Sequence, residues 1–337
     1  MSDIPFIIIN PQARSGKIGK NLEKIKKKFK QYLGEFKFEL TQGPLDEIRI
    51  TAEAIEKGYK KILVCGGDGT ATNTGDAIIN SGQKDVILGL ISAGSMCDWH
   101  KTHSIPFDMD KSLQIIAKGY YESFPAMKCT GDKTYYSFDM ADGGFTGAAA
   151  AAAHHEVEWI KNGDIKYLWL ALKYILVSKN TQAKITIDDR KPIEIKDFTN
   201  LIVAFGDEIV GFKVLPGNDY FSRVNKDLGI FVLHKLKGFR RIIMLIRALS
   251  AKHVGKKGVW LTRGKKVVIE TERPIPWEAE GEIFNEKSHT VTIEYIDDAL
   301  KLFVPKNRTY NDKIDENIYN EPFENSFKKR KVKIYKK

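Results

Sequence analysis

The chain has 337 residues, with 54 Lys and Arg against 43 Asp and Glu and a formal net charge of +11, a length that suits two domains each with its own core. No apolar run approaches the ~18–20 residues of a membrane-spanning helix, and the apolar start Phe6 to Ile9 is too short for a signal peptide, so a cytoplasmic chain is expected. Cys65, Cys97 and Cys129 are odd in number and lack CxxC spacing, which implies neither a disulfide framework nor a zinc site, while the positive charge calls for an acidic partner: nucleotide, nucleic acid or anionic lipid.

In chain order, Phe6 to Ile9 reads as a buried strand, and Ile18, Leu22, Ile25 and Phe29 form the apolar stripe of a lysine-rich helix. Phe36, Phe38 and Leu40 alternate as a second strand, and Leu45, Ile48, Ala52 and Ile55 predict the buried face of the next helix. Strands follow at Ile62 to Val64 and Val86 to Ile91, then a helix over Met109 to Lys118. This alternation is that of a parallel sheet covered on both faces. After about residue 120 the pattern turns to paired strands: Lys184 to Ile187 and Ile193 to Ile195 around Asp188-Asp189-Arg190, then Leu201 to Phe205, Gly229 to Leu233, Val267 to Glu270, Thr290 to Tyr295 and Leu300 to Val304. A mainly antiparallel sandwich or barrel is expected there, interrupted by helices at Gly147 to Ile160, Tyr167 to Leu176 and Phe239 to Ser250. The expected organisation is therefore an α/β domain over 1–120, a β domain over 121–305 and a basic tail over 306–337. The tail, dense in Lys328, Lys329, Arg330 and Lys331, reads as a solvated end or as an attachment to anionic lipid.

Gly66-Gly67-Asp68-Gly69-Thr70 lies between the strand ending at Val64 and a helix over Ala71 to Ile79. Glycines let a backbone approach phosphate oxygens, and the free amides of a helix start point at the anion, so this loop predicts a nucleotide-phosphate site, with Thr70 adding a hydroxyl. Pro11 to Lys17 is no Walker A loop, because Pro11 and Ile18 stand where glycine and a hydroxyl residue are needed. Asn10, Arg14, Ser15 and Lys17 still offer donors at a helix start, although an ordinary capped turn explains them equally well. A third loop, Ser92-Ala93-Gly94-Ser95, follows another strand, and in an open parallel sheet all three loops reach one crevice.

Asn10-Pro11 with Ser15-Gly16, the Gly66 to Thr70 loop, and Ala93-Gly94-Ser95 with Asp98 together resemble the catalytic domain of diacylglycerol kinases and sphingosine kinases, in the layout of the bacterial soluble lipid kinases. Gly144-Phe145 is similar to that family's Gly-Phe-Asp element, Gly163 with Tyr167 to its Gly-x-x-x-Tyr step, and Glu280-Gly281-Glu282 to its Asp-Gly-Glu motif. The resemblance implies a Rossmann-like nucleotide-binding domain, a β-sandwich lipid-binding domain, and transfer of the ATP γ-phosphate to a lipid hydroxyl with magnesium. It places Thr41, the stretch Gly66 to Asn73, Gly94 and Ser95 on ATP contacts, and makes Glu282 the proton acceptor, with Glu280 and Asp68 as further acids. The family's magnesium loop is present only as Asp227-Leu228-Gly229, so Asp227 is the one candidate metal ligand. Cys97 and Glu280 depart from the Asn and Asp that are usual at their places.

The leading expectation is a lipid kinase acting on diacylglycerol, a sphingoid base or a related lipid alcohol, at the inner membrane face. A homodimer is allowed for, and no nucleic-acid partner is expected. Arg240, Arg241 and Arg247 among the apolar residues of Phe239 to Ser250 suggest membrane docking, with core packing the favoured alternative. An NAD kinase, or a nucleotide-binding protein that has lost turnover, are the rival readings.

Overall fold

The computed structural model describes residues 4–93, 98–155, 170, 172–208, 212–308 and 313–335. The chain forms two compact units, Met1–Ala126 with Ile296–Thr309, and Met127–Tyr295 with Tyr310–Lys337.

In the first unit, strands β1 (Phe6–Ile9), β2 (Lys37–Leu40), β3 (Lys61–Gly66) and β4 (Ile87–Ser92) pair in parallel in the order β2-β1-β3-β4. Ile7, Ile8, Ile9, Ile62 and Leu63 are fully buried, as a sheet covered on both faces demands, each such side chain contributing ~1.5–3 kcal/mol of burial. Helices α1 (Lys17–Lys20) and α2 (Leu22–Leu33) bury Ile18, Ile25 and Phe29, the stripe expected from the spacing. Helix α3 (Asp46–Glu56) differs: its buried residues are Glu47, Ile50, Thr51 and Ala54, while Leu45 is 48% exposed and Ala52 is exposed. The apolar stripe misplaced this face because α3 lies against α4 (Asp68–Asn80), whose buried side chains include Thr72, Asn73 and Thr74. Polar groups can line such a seam when they bond one another, as Asn73 Nδ2 does by donating to Glu47 Oε1 over 2.7 Å. Helix α5 (Asp98–Thr102) precedes α6 (Met109–Lys118), which begins at an Asp108 cap accepting from the Lys111 amide and ends at left-handed Gly119.

The second unit is antiparallel. After β5 (Tyr121–Thr130) and β6 (Thr134–Ser137), which pair at Met127–Ser137, strand β7 (Met140–Gly144) leads into helix α7 (Phe145–His155). Residues 172–177 are helical. Strands β8 (Thr181–Ile187) and β9 (Ile193–Ala204) form the expected hairpin. The long β9 also pairs with β7 and with β10 (Leu228–His234), which follows helix α8 (Asn218–Asn225). Along β9, Leu201 and Val203 enter one core and Ile202 and Ala204 another, so this part of the sheet is buried on both faces. Helix α9 (Phe239–Ala248) adds Met244 and Ala248 to the second core, and β11 (Val259–Gly264) pairs with β10. Strand β12 (Lys266–Thr271) pairs with β8, and β13 (Trp277–Ala279) joins β7 to β14 (Glu282–Asn285). Thr290 to Tyr295 and Leu300 to Val304, expected as two strands, form one, β15 (Thr290–Phe303), which pairs with β12 through Thr290–Glu294 and with β4 through Lys301–Leu302. The acidic Asp297-Asp298 step suggested a turn; Asp298 takes a left-handed φ of 52° but the strand continues through it.

The C-terminal stretch packs its apolar residues while Lys328, Lys329, Lys331 and Lys333 stay exposed. Ile314, Ile318 and Tyr319 belong to the second core, Val332 and Ile334 lie against it, and Ile314 bridges Tyr335. The apolar residues between the lysines, which charge counting undervalues, account for this order. Cys65 and Cys129 are free and buried; Cys97, Gly163 and Tyr167 lie outside the described residues.

Candidate functional site

Strands β1, β2, β3 and β4 end in register, with Ile9 opposite both Leu40 and Cys65, and Gly66 opposite Ser92. Their carboxyl ends therefore bring Asn10, Thr41, Gly67 and Ala93 to one edge of the sheet. The chain passes from β1 to β2 on one side and adds β3 on the other, so β1 and β3 flank the switch point where an open α/β sheet leaves a crevice.

Two loops meet there. Asn10 Nδ2 donates to Thr70 Oγ1 at 3.2 Å, the Asn10 amide donates to the Cys65 carbonyl at 3.0 Å, and Asn10 Oδ1 accepts from the Gln12 amide at 2.9 Å. Asn10 thus ties the Pro11 to Lys17 turn to the glycine-rich loop. Arg14, Ser15 and Gly16 are successively left-handed, at φ 53°, 55° and 80°, a compact coil whose Gly16 amide donates to the Gln12 carbonyl. Arg14 and Ser15 are exposed, and Thr41 is buried with its amide donating to Ile9.

Gly66 and the pair Gly67 and Gly69 are glycines for different reasons. A Cβ on Gly66 would stand 2.8 Å from Thr70 Cβ, so the fold itself excludes a side chain. A Cβ on Gly67 or Gly69 would meet nothing within 4 Å, and neither has a positive φ. Among the described residues, no contact and no backbone strain requires these two glycines. Gly67 is the N-cap of α4 and supplies no side-chain cap, which leaves the amides of the first turn directed outward with Asp68 and Thr70 beside them. Asn73, one turn on, is buried against Glu47, which no motif singles out. Gly94 and Ser95 lie outside the described residues.

In the second unit, Glu280 and Gly281, at φ 52° and 93°, form the two-residue turn between β13 and β14. Glu280 Oε1 accepts from Ser137 Oγ at 2.7 Å and from the Phe138 and Asp139 amides at 2.6 and 2.8 Å. Its carboxylate clamps the turn before β7. Glu282, half-buried at the start of β14, makes no hydrogen bond or ion pair among the described residues. Beside them lies a pair that sequence reasoning missed. Asp142 on β7 and Glu278 on β13 are direct cross-strand partners, 2% and 8% exposed. Burial pushes Asp142 up to about 6 and, with the Asp142 charge adding to it, lifts Glu278 well above the usual carboxylate range, so the two share a proton near neutrality. Glu278 Oε2 accepts from the Gly281 amide at 2.6 Å, and Asp142 Oδ1 has no hydrogen-bond partner among the described residues. Gly143 and Gly144, by contrast with Gly67, answer to packing: a Cβ would lie 2.2 Å from the Trp277 ring and 2.5 Å from the Thr199 carbonyl.

Asp227 does not fit a metal. Its Oδ1 accepts from Arg263 Nε at 3.0 Å and Nη2 at 2.5 Å, and Arg263 is also bonded to Asn218 and Ser222 and lies over the Phe221 and Tyr319 rings. A guanidinium already fills the place of a cation, and no group of three or more His, Cys, Asp or Glu among the described residues could hold a metal ion.

The Diacylglycerol kinase catalytic domain family matches residues 5–129, and the YegS C-terminal NAD kinase beta sandwich-like domain matches residues 142–304. A protein of Alcanivorax borkumensis named "Probable lipid kinase YegS-like" is 23% identical over 269 residues, covering 77% of this chain and 84% of that protein. One of the same name from Yersinia enterocolitica is 32% identical over 101 residues, 30% of this chain and 33% of its own length. A crystal structure titled a diacylglycerol kinase from Bacillus anthracis str. Sterne superposes with a TM-score of 0.62 at 17% identity, covering 90% of this chain and 97% of that one. A further structure from the same organism reaches 0.69 at 18% identity, over 90% and 98%.

Proposed function

Because the chain belongs to the diacylglycerol kinase catalytic-domain family of lipid kinases, we propose that it transfers the γ-phosphate of ATP to the hydroxyl of a lipid alcohol, either diacylglycerol, a sphingoid base or a close relative. The observation that carries the nucleotide half is the pair of glycines at 67 and 69 that no contact among the described residues requires. A backbone kept bare without internal need is a backbone kept clear for a ligand, and the ligand suited to outward amides at a helix start is a phosphate chain.

In this reading the amides of the Gly67 to Thr70 turn and the Thr70 hydroxyl, itself oriented by Asn10, hold the phosphates in line. Arg14 and Ser15 lie on the adjoining turn, and Thr41 at the same sheet edge, within the nucleotide's neighbourhood. Asp68, the carboxylate of the loop, would meet a magnesium ion carried in on the nucleotide, which would supply neutralisation of charge on the phosphates. Glu282 takes the proton of the attacking hydroxyl, since Glu280 is held by three donors and Glu278 by Asp142 and the Gly281 amide. Glu280 then serves to position the turn that presents Glu282.

The β-sandwich match to an NAD kinase-like domain supports NAD as a rival acceptor. Purified protein with labelled ATP and magnesium, offered diacylglycerol, sphingosine and related lipids in neutral detergent micelles and NAD in parallel, decides. Transfer to a lipid, abolished by Asp68→Ala with the melting temperature kept, supports the proposal. Phosphorylated NAD, or tight ATP binding with transfer to no acceptor, rejects it.

A further inference from the structure

We propose that the outer face of helix α9 docks the second unit onto an anionic lipid bilayer. The inner face of this helix is already committed. Arg241, 2% exposed, donates from Nε to the Leu236 carbonyl at 3.1 Å, from Nη1 to the Ile175 carbonyl at 2.7 Å and from Nη2 to Asn180 Oδ1 at 2.6 Å, while Met244 and Ala248 enter the core. The core packing expected for this helix is thereby complete, and the opposite face is left over.

That face is apolar and cationic together. Phe239 is 68%, Ile246 60% and Leu249 51% exposed, and Arg240 and Arg247 are exposed among them. Phe239 with Ile246, and Arg240 with Arg247, are each seven residues apart, two helical turns, so both pairs run along one side of the helix. Leu176 and Val177, 49% and 58% exposed, end the helical stretch whose Ile175 carbonyl Arg241 holds, so more apolar surface lies beside α9. A folded domain does not ordinarily leave large apolar side chains clustered in water, and such a patch marks a binding surface.

Charge identifies the occupant. From His234 to Ile269 the chain has 11 Lys and Arg and no Asp or Glu. A second copy of this face would bring like charges together, and a nucleic acid would leave Phe239, Ile246 and Leu249 without an apolar partner. A bilayer with anionic headgroups takes both: the aliphatic and aromatic side chains enter the acyl boundary while the arginines remain at the phosphates. The inference goes beyond the assignment of lipid kinase activity and does not depend on catalysis.

The test is co-sedimentation with vesicles of phosphatidylcholine alone and of phosphatidylcholine with phosphatidylglycerol, without ATP. Binding to the anionic vesicles only, weakened by salt, is expected. The pair Arg240→Gln with Arg247→Gln should cut partitioning by about 30-fold, the equivalent of ~1 kcal/mol for each cation, and the pair Phe239→Ser with Ile246→Ser should abolish it. All four side chains are exposed, so circular dichroism and melting should be unchanged, and phosphorylation of lipid presented in neutral micelles should persist in both variants. Unaltered vesicle binding in both variants overturns the proposal, as does a wild-type protein that ignores anionic vesicles, or one that these substitutions convert from dimer to monomer without affecting sedimentation. Failure of the kinase assignment would appear only in the micelle assay.

Discussion

The sharpest test of the phosphate loop is Gly69→Ala, because it should move stability and binding in opposite directions. Gly69 occupies the second position of α4, its Cβ would meet no atom within 4 Å, and its φ is not positive. Alanine there restricts the unfolded chain and suits a helix, which is worth up to ~1 kcal/mol of stability. The same methyl group stands where a phosphate must approach the first-turn amides. Loss of one charge-assisted hydrogen bond costs ~1.5–3 kcal/mol, so ATP affinity should fall by about 10- to 100-fold. Gly66→Ala is the internal contrast: its Cβ would press on Thr70 Cβ at 2.8 Å, and overpacking of that kind destabilises by ~1–3 kcal/mol. Thermal melting and calorimetric ATP titration of the three proteins read both quantities. A Gly69→Ala protein that binds ATP as tightly as the wild type would refute the argument that this glycine is kept for a ligand.

Three other outcomes are expected. Glu282→Gln should lower kcat by about 100-fold or more while ATP affinity stays within twofold, since a general base acts on the acceptor and not on the nucleotide; parallel losses in both would remove Glu282 from that role. The buried Asp142–Glu278 pair makes the second unit less stable in alkali, because a carboxyl with a raised folded pKa contributes stability below its unfolded pKa and loses it as pH rises through the folded value. For Asp142, raised from 3.8 to about 6, that loss is about 3 kcal/mol in order of magnitude, and Glu278 adds a further loss at higher pH. In Glu278→Gln the decline above pH 6 should disappear in urea unfolding between pH 5 and 9, and superimposable profiles for the two proteins would contradict a shared proton. Chelation with EDTA should leave melting unchanged, whereas Arg263→Met should destabilise by about 3–5 kcal/mol, the cost of stranding a buried partner, with no rescue by magnesium; rescue would show that Asp227 binds a metal after all.

The fold was legible where a single stretch of chain carries its own instruction. Strands β1 and β3 are buried on both faces and read as unbroken apolar runs, and α6 spans the Met109 to Lys118 stretch expected for it. What escaped reading depends on partners distant in sequence. Helix α3 turns Glu47 and Thr51 inward because Asn73, on another helix, satisfies Glu47, and apolar periodicity has no term for a polar face buried on those conditions. Asp142 and Glu278 meet only because β7 and β13 are neighbours in the sheet, and Asp227, just before β10, is bonded to Arg263 because β11 pairs with β10. Glu47, Asp142 and Glu278, taken alone, look like solvated charges.

The motif residues show the same division in a sharper form. Gly67 and Gly144 both sit in short glycine-rich steps from strand to helix, and composition treats them alike. Yet Gly144, at φ 116° and with the Thr199 carbonyl 2.5 Å from any Cβ, is glycine because the sandwich allows nothing else there, while Gly67 faces open space. Glu280 and Glu282 divide in the same way: one carboxylate is consumed by three donors of its own domain and the other by none. A motif therefore mixes residues that shape the backbone with residues left free to act. The ones left free are those whose identity the protein's own packing does not explain, which is why Gly67, Gly69 and Glu282, rather than the whole of either motif, are where substitution should separate activity from folding.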